Sequence, residues 1–372
     1  MRALVCEGPG TPSLMELPAP EPGAGEVLVR VTAALTCGTD FKIARRGHPE
    51  IPFPLTIGHE WAGIVEKAGA GAGWETGTRV TAAVSAPCGG CAACREGREN
   101  LCETAFDRPL FGAFADFLLV PERLARRGLR RIPAGMPDET AALLDPLASA
   151  VRALHRAPDA RGRDVLVVGT GPIAALLFFL LRGTGGTKSA GARRVVIAGR
   201  RPERLVFFER NGAVVARIHV SPRAGGAGAG APIFTFEEDP RVPSRIVDPK
   251  RAGGVAREGA GRFSLVVDTT GDPGVIEALP ALAADGGTVL LFAGLPAGAR
   301  VAVDAHAVHY REVSIVGSFH YTPGEADEAL ALLARGAIPA AEIVAARRPL
   351  AEWRAAFDLA RDGTALKVAL VP

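Results

Sequence analysis

Four cysteines lie close together in the sequence with a regular spacing, C-x2-C-x2-C-x7-C. They are Cys88, Cys91, Cys94 and Cys102. Thiols grouped this tightly in a chain of 372 residues are typical of metal ligands rather than of a disulfide framework. Four sulfur ligands complete the tetrahedral shell of a zinc ion and leave no position for a substrate. The spacing therefore predicts a structural zinc site, with a redox pair or free thiols as the alternative.

A second motif, G-x-G-x-x-A, lies between a compact apolar run (Asp164 to Val168) and an apolar helical run (Pro172 to Arg182). In such a turn the first glycine permits a tight bend and the second lets the backbone approach a pyrophosphate. The final small residue lets helix and strand pack closely, and the helix N-terminus attracts an anion. An ordinary βα turn is the alternative. The predicted dinucleotide-binding residues are Gly169, Gly171, Pro172, Ile173 and Ala174.

The end of the next strand-like run indicates which nucleotide is bound. Dinucleotide folds that bind NAD usually place an acid there, to hold the ribose hydroxyls. Here the run Arg194 to Ala198 is followed by Gly199, Arg200 and Arg201. Two arginines suit a 2′-phosphate by charge and by geometry, so we predict NADP in preference to NAD. Solvated surface arginines are the alternative.

The elements that must position these motifs fall into two patterns. Up to about residue 150, short β-branched runs alternate with Gly and Pro, which predicts a β-rich domain. Beyond it, strand-like and helical runs alternate, which predicts a doubly wound parallel sheet in an α/β protein. The later runs are 202–210 (helix), 263–267, 275–283 (helix), 288–292, 312–316, 325–334 (helix) and 366–371.

One segment departs from this alternation. Residues 217–262 carry a Gly- and Ala-rich stretch, several prolines and scattered arginines. Such composition is typical of a surface loop, so we predict an inserted or flexible segment within the second domain.

Composition and charge exclude several classes of partner. Hydrophobic residues make up 48% and charged residues 22%, and the net charge of +3 does not favour nucleic acid or a membrane surface. The longest apolar run, Ile173 to Leu181, is shorter than the roughly 20 residues of a membrane span. The first residues do not resemble a signal peptide, so we predict a cytoplasmic protein whose partner is a small molecule.

Taken in order, the motifs resemble those of the zinc-dependent medium-chain dehydrogenases, which include alcohol, polyol and threonine dehydrogenases. The resemblance covers the chain apart from 217–262. The motifs that carry it are Cys37-Gly38-Thr39-Asp40, Gly58-His59-Glu60, the four cysteines, Asp145-Pro146-Leu147 and the glycine turn. It implies a GroES-like catalytic domain at 1–150 with a zinc lobe at 88–102, a Rossmann domain at 151–318, and a return segment at 319–372.

The resemblance also implies a catalytic zinc. Cys37 and His59 match the family's first two ligands, Asp145 matches the third, and Glu60 is a ligand or lies just outside the shell. A thiolate, an imidazole and a carboxylate leave a fourth position for water or alcohol. Each residue also has an ordinary alternative: a buried cysteine, a core histidine, and an N-cap before Pro146 for Asp145.

The resemblance further implies a route for the proton that leaves the substrate. Thr39 matches the hydroxyl residue that begins the family's proton relay. The next member is a histidine in many relatives, whereas here the position is Lys42, with His48 nearby. Lys42, His48 or an ordered water could therefore form the outer end of the relay.

Together these features predict an enzyme with two zinc ions per chain that transfers hydride between an alcohol and NAD(P). The carboxylate ligand and the run at 317–323 favour a secondary alcohol, a polyol or a sugar-derived cyclitol. The family's edge strand, at 312–316, implies a homodimer or homotetramer. The alternatives are an NADPH-dependent carbonyl reductase, which is the reverse reaction, and a zinc-lobed module that binds nucleic acid or protein.

Overall fold

The computed structural model divides the chain into two compact units. Unit 1 comprises Met1–Ser149 together with His320–Pro372, and unit 2 comprises Ala150–Phe319. The residues that the structure describes are 1–47, 52–183, 190–222, 229–235 and 263–372.

The helices and strands alternate along the chain as follows. Unit 1 begins with β1 (Arg2–Cys6), β2 (Ser13–Glu16), β3 (Val27–Leu35), α1 (Gly38–Arg46), β4 (Leu55–Thr56), β5 (Trp61–Ala68), β6 (Arg79–Ala82), α2 (Ala92–Arg95), β7 (Phe117–Val120), α3 (Glu122–Arg127), β8 (Leu129–Arg131), α4 (Asp138–Ala141) and α5 (Leu144–Arg156), which continues into unit 2. Unit 2 contains β9 (Asp164–Val168), α6 (Pro172–Arg182), β10 (Arg194–Gly199), α7 (Pro202–Arg210), β11 (Val214–Pro222), β12 (Ala229–Thr235), β13 (Phe263–Asp268), α8 (Pro273–Leu282), β14 (Ala283–Leu291), α9 (Ala305–Tyr310) and β15 (Ser314–Gly317). Unit 1 resumes with α10 (Pro323–Ala334), α11 (Ala340–Ile343), β16 (Val344–Pro349), α12 (Trp353–Asp362) and β17 (Lys367–Val371).

Unit 1 is built on a twisted, mostly antiparallel sheet. Its strands follow the order β16–β17–β3–β5–β6–β8, with β7 also paired to β3, and a smaller sheet has the order β2–β1–β4. The central strand β3 is almost entirely buried, and its neighbours Trp61 and Phe114 are among the largest fully buried side chains. The C-terminal strand β17 pairs with the end of β3, so the last residues of the chain complete the sheet begun by the first.

Unit 2 is built on a parallel sheet with the order β11–β10–β9–β13–β14–β15. Every residue of β9 is buried, as expected for a strand of continuous apolar character at the centre of a sheet covered on both faces. From β9 the chain first adds strands on one side and then on the other, which is the doubly wound arrangement. The predicted fold class is therefore confirmed.

The segment at 217–262 is not a loop throughout. Residues 217–222 belong to β11, and β12 pairs with β11 in antiparallel fashion at the edge of the sheet. The loop prediction is therefore wrong for these strands, where the backbone gains hydrogen-bond partners by extending the sheet. Residues 223–228 and 236–262 lie outside the described residues.

None of the helices in the described part of the chain combines the length and the apolar composition that a membrane-spanning helix needs.

A buried acid at the start of β9 forms ion pairs within unit 2. The Asp164 carboxylate accepts hydrogen bonds from Arg193 Nε at 2.9 Å and Arg194 Nη2 at 2.6 Å. Burial alone would raise the pKa of Asp164, but the hydrogen bonds and charges of the two arginines outweigh it and lower the pKa. A carboxyl group with a lowered pKa in the folded state stabilises the fold above its unfolded pKa. That contribution is lost as the pH falls toward the folded pKa.

Asp164→Asn should lower the free energy of unfolding by about 1–2 kcal/mol at neutral pH, because solvent screens part of the pairing with the exposed Arg193. The difference from wild type should shrink as the pH falls below about 4, where Asp164 of the unfolded wild type becomes protonated. Urea unfolding at several pH values measures both effects. Glu203→Gln, at an exposed acid of α7, is the control and should change the free energy by less than about 0.5 kcal/mol. A difference that stays constant down to about pH 3 would contradict the electrostatic explanation.

Candidate active site

Two strands of unit 1 bring together three of the residues predicted to bind the catalytic zinc. Cys37 follows the end of β3, and His59 and Glu60 precede β5, which pairs antiparallel with β3. The amide of Leu35 also donates to the carbonyl oxygen of Glu60 at 2.8 Å, which closes this end of the sheet. The potential ligand atoms of Cys37, His59 and Glu60 all lie within 4.8 Å of one another.

The imidazole of His59 is held in a fixed orientation by a buried acid. Its Nδ1 lies 2.9 Å from Oδ1 of Asp40, which also accepts the amide of Gly58 at 3.1 Å. Burial lowers the pKa of His59, but the charges of Asp40 and Cys37 outweigh it, and the pKa is raised well above its ordinary value. An imidazole bonded to a carboxylate through Nδ1 presents Nε2 as its ligand atom, which is how histidine binds catalytic metals.

The carboxylate of Glu60 is paired with the ammonium group of Lys367. Both side chains are 1% exposed, and Lys367 Nζ donates to Glu60 Oε2 and to the carbonyl oxygen of Thr36 at 3.1 Å. Burial lowers the pKa of Lys367, but the charge of Glu60 outweighs it, so the pKa is raised. Glu60 is thus already neutralised by a buried cation, as a buried carboxylate must be.

Asp145 lies beside this group but outside the 4.8 Å cluster found among the described residues. Asp145 is 9% exposed. Burial is the main cause that raises the pKa of Glu60, and the nearby charge of Asp145 also raises it. Oδ1 of Asp145 accepts hydrogen bonds from the hydroxyl of Tyr321 and from the amide of Val84 at 3.4 Å. Asp145 is in the first turn of α5 rather than before it, so the N-cap interpretation is wrong.

The residues of the predicted relay lie on α1. Thr39 and Lys42 are both exposed on this helix, which begins directly after Cys37. Thr39 lies in the first turn of α1, two residues after Cys37. His48 lies outside the described residues.

The four cysteines predicted as a structural site are brought together around α2. The sulfur atoms of Cys88, Cys91, Cys94 and Cys102 all lie within 4.8 Å of one another. The sulfurs of Cys88 and Cys94 are 4.0 Å apart, close to the roughly 3.8 Å of two thiolates on one tetrahedral zinc. Backbone amides of Gly90 and Cys91 donate to Cys88 and lower its pKa to about 6. The donor set and its spacing fit zinc.

The glycine turn of unit 2 joins β9 to α6 as predicted. Gly169 has φ +126, and a Cβ there would lie 2.0 Å from Oγ1 of Thr269, so this position requires glycine. Gly171 caps α6 without a side chain, and a Cβ on Gly171 would meet no atom within 4 Å. Pro172 is the first helical residue, so the next amides, those of Ile173 and Ala174, are available to an anion in the open space beside Gly171.

The end of β10 lies against this turn. A Cβ on Gly199 would come within 2.3 Å of Cγ2 of Thr170, which shows how closely the two segments approach. Arg200 and Arg201 follow Gly199 and are both exposed, Arg201 as the N-cap residue of α7. Two cationic side chains therefore stand where NAD-binding folds place an acid.

Three residues that complete the site had no role assigned to them from the sequence. They are Asp40, which orients His59, Lys367, which pairs with Glu60, and Tyr321, which bonds to Asp145. Lys367 is the one that the sequence marks, because a lysine inside the apolar run 366–371 is unusual for a buried strand.

The chain is similar in sequence to known dehydrogenases. Residues 23–129 match the family model of the alcohol dehydrogenase GroES-like domain. The chain is 31% identical over 360 residues to D-altritol 5-dehydrogenase of Agrobacterium fabrum, a match that covers 95% of this chain and 94% of the relative. It is 38% identical over 223 residues to L-threonine 3-dehydrogenase of Rhizobium rhizogenes, where the match covers 57% of this chain and 60% of that protein.

One solved structure matches the chain over its full length. It is that of a protein from Sinorhizobium meliloti designated a zinc-binding dehydrogenase, bound to NADP. The TM-score is 0.77 at 28% sequence identity, and the match covers 100% of this chain and 99% of that one. The chain therefore belongs to the zinc-dependent medium-chain dehydrogenase family and is an oxidoreductase.

Proposed function

We propose that this enzyme oxidises a secondary alcohol, a polyol or a sugar-derived cyclitol with NADP, using a zinc ion bound in unit 1. The observation that carries the proposal is the cluster of Cys37, His59 and Glu60, whose ligand atoms lie within 4.8 Å of one another. The cluster supplies a thiolate and an oriented imidazole, and with the nearby carboxylate of Asp145 these form a donor set typical of catalytic zinc sites. The two relatives described above are named for D-altritol and L-threonine, which both carry a secondary hydroxyl group.

We assign the third ligand to Asp145 and a supporting place to Glu60. Lys367 neutralises Glu60, whereas Asp145 has hydrogen-bond donors on Oδ1 alone among the described residues. Oδ2 of Asp145 therefore keeps its lone pairs for a cation. Three protein ligands leave one coordination position for the substrate oxygen, as a catalytic site requires.

When bound, zinc would supply Lewis-acid polarisation of the alcohol oxygen, and the nicotinamide ring would accept the hydride. The chain's own residues hold and orient these groups. His59 is fixed through Asp40. The hydroxyl of Thr39, two residues after Cys37, would accept the substrate proton at Oγ1 and pass it on. Lys42, exposed one turn further along α1, is the proposed next member of this relay.

The preference for NADP rests on the residues at the end of β10. The amides of Ile173 and Ala174 at the start of α6 would bind the pyrophosphate, with Gly171 admitting its close approach. Arg200 and Arg201 would then face the 2′-phosphate, which a guanidinium binds by charge and by paired hydrogen bonds. The similar structure from Sinorhizobium meliloti has NADP bound.

We further propose that the chain binds a second zinc ion and forms an oligomer. The four cysteines would hold a structural zinc, which brings the content to two ions per chain.

The parallel sheet of unit 2 ends at β15, where Ile315 is 40% exposed and Phe319, just beyond the strand, is 58% exposed. An open strand edge with exposed apolar side chains favours pairing with a second copy, as a homodimer or within a homotetramer.

The experiment that tests the function is a substrate panel combined with metal analysis. Polyols, amino alcohols and cyclitols are assayed with NAD and with NADP, by the absorbance of the reduced nicotinamide, and the matching ketones are assayed in reverse. We expect turnover of at least one secondary alcohol, faster with NADP, and about two zinc ions per chain. Zinc-loaded protein that binds neither cofactor and reduces or oxidises no member of the panel would overturn the proposal.

A further inference from the structure

The phenol of Tyr321 reaches the candidate zinc ligand Asp145 from a distant part of the chain. Tyr321 is 3% exposed, and its hydroxyl donates to Oδ1 of Asp145, 176 residues away in sequence. The amide of Val84 donates to the same oxygen at 3.4 Å. Both donors therefore approach one side of the carboxylate, and Oδ2 is the oxygen that remains for a cation.

The segment that carries Tyr321 is held in place by the residue before it. His320 has φ +52, a left-handed backbone conformation that a non-glycine residue rarely adopts unless its surroundings hold it there. Its Nε2 lies 2.8 Å from Oγ of Ser85, and its ring contacts the rings of Phe106 and Tyr321, with centroids 5.0 and 4.3 Å apart. These contacts fix the backbone that directs Tyr321 toward Asp145.

The same short segment after β6 reaches both residues. Val84 donates to Asp145, and Ser85, the next residue, pairs with His320. One short segment therefore contacts both Asp145 and the residue that precedes Tyr321. These contacts fix the position and the rotation of the Asp145 carboxylate. Carboxylates that bind metals through one oxygen are generally held by hydrogen bonds to the other.

We propose that Tyr321 is a positioning residue, which holds Asp145 through Oδ1 so that Oδ2 is directed at the zinc ion bound by Cys37 and His59. This inference rests on the proposed function. Tyr321 does not touch the reacting atoms and acts through Asp145. Removing an outer partner of this kind typically weakens metal binding by about 10- to 100-fold.

Tyr321→Phe tests the proposal, because it removes the hydroxyl and keeps the ring that packs on His320. The chain's other tyrosine, Tyr310, is 72% exposed, so Tyr310→Phe is the matched control. Each zinc-loaded variant is mixed with EDTA, and zinc release is followed with a metallochromic dye. The ion of the Cys37 site is identified as the one that Cys37→Ala lacks.

We expect Tyr321→Phe to release that ion about 10- to 100-fold faster than wild type, with the four-cysteine zinc unaffected. Tyr310→Phe should match wild type. A second pair of variants tests whether Tyr321 acts through the Asp145 carboxylate. In protein that already carries Asp145→Ala, adding Tyr321→Phe should change the rate of zinc release by less than about twofold. A comparable acceleration in that background would overturn the proposal, because Tyr321 would then act by another route.

A purely structural role gives a different result. If Tyr321→Phe lowers the melting temperature but releases zinc at the wild-type rate, the positioning role is overturned and the proposed function stands. If wild type holds no ion that Cys37→Ala lacks, the proposed function fails, and the positioning role falls with it.

Discussion

Cys37→Ala is expected to bind one zinc ion per chain instead of two and to lose at least about 1,000-fold in kcat/KM, roughly 4 kcal/mol of transition-state stabilisation. The thiolate is one of three ligands in the proposed site, and its loss leaves a histidine and a carboxylate that bind zinc weakly. Cys37 is only partly buried, and its side chain does not cap α1, so alanine should not disturb the fold. Metal analysis of the purified variant and steady-state kinetics measure the two effects.

Cys6→Ala is the matched control, because Cys6 is the other cysteine outside the four-cysteine site. It is 1% exposed in β1, and burial raises the pKa of its thiol to about 11, which makes it an inert core residue. This variant should keep both zinc ions and kcat/KM within about threefold of wild type. Cys37→Ala with two zinc ions and undiminished activity would remove Cys37 from the site.

Gly171→Val should raise the Kd for NADP by at least about 100-fold, equivalent to roughly 2.7 kcal/mol, while leaving the fold intact. Gly171 has φ −90 and ψ −179, an extended conformation that valine adopts readily. Its Cβ would meet no protein atom within 4 Å, so the new side chain would instead occupy the space proposed for the pyrophosphate. Titration by NADPH fluorescence gives the Kd, and thermal unfolding reports on the fold.

Gly8→Val is the matched control for this substitution. A Cβ on Gly8 also meets no atom within 4 Å, and its φ lies outside the left-handed region, but it lies near the start of the chain and far from the glycine turn in sequence. We expect this variant to bind NADP like wild type. If Gly171→Val also binds NADP with unchanged affinity, the glycine turn is not the pyrophosphate site.

The parts of the fold that were predicted well are those with strong local signals at both ends. The observed bounds of β9, α6 and α7 equal the predicted ones, because glycine or proline marks their junctions and apolar runs fill their interiors. Strand β14 begins at Ala283, five residues before its predicted start at Thr288. The sequence Asp285-Gly286-Gly287 is typical of a turn, but here it is accommodated by an irregular register against β13.

In the candidate site, too, residues in local motifs were predicted and residues distant in sequence were not. Cys37, His59 and the four cysteines belong to local motifs. The structure brings the ligand atoms of Cys37 and His59 together in one cluster and those of the four cysteines together in another. Lys367 is 307 residues from Glu60, and Tyr321 is 176 residues from Asp145, so only the tertiary topology reveals these pairs. Short-range patterns therefore indicate the ligands, while the groups that orient and neutralise them depend on long-range strand pairing.

The pairing of β17 with β3 has a consequence for how the protein is made. Because residues 150–319 separate the two parts of unit 1, a ribosome finishes all of unit 2 before it releases the strand that completes unit 1. Until then the end of β3 is an open edge and Glu60 lacks its ammonium partner. A nascent chain at this stage exposes a strand edge prone to pairing with other chains, so the first unit to emerge is the last to be completed.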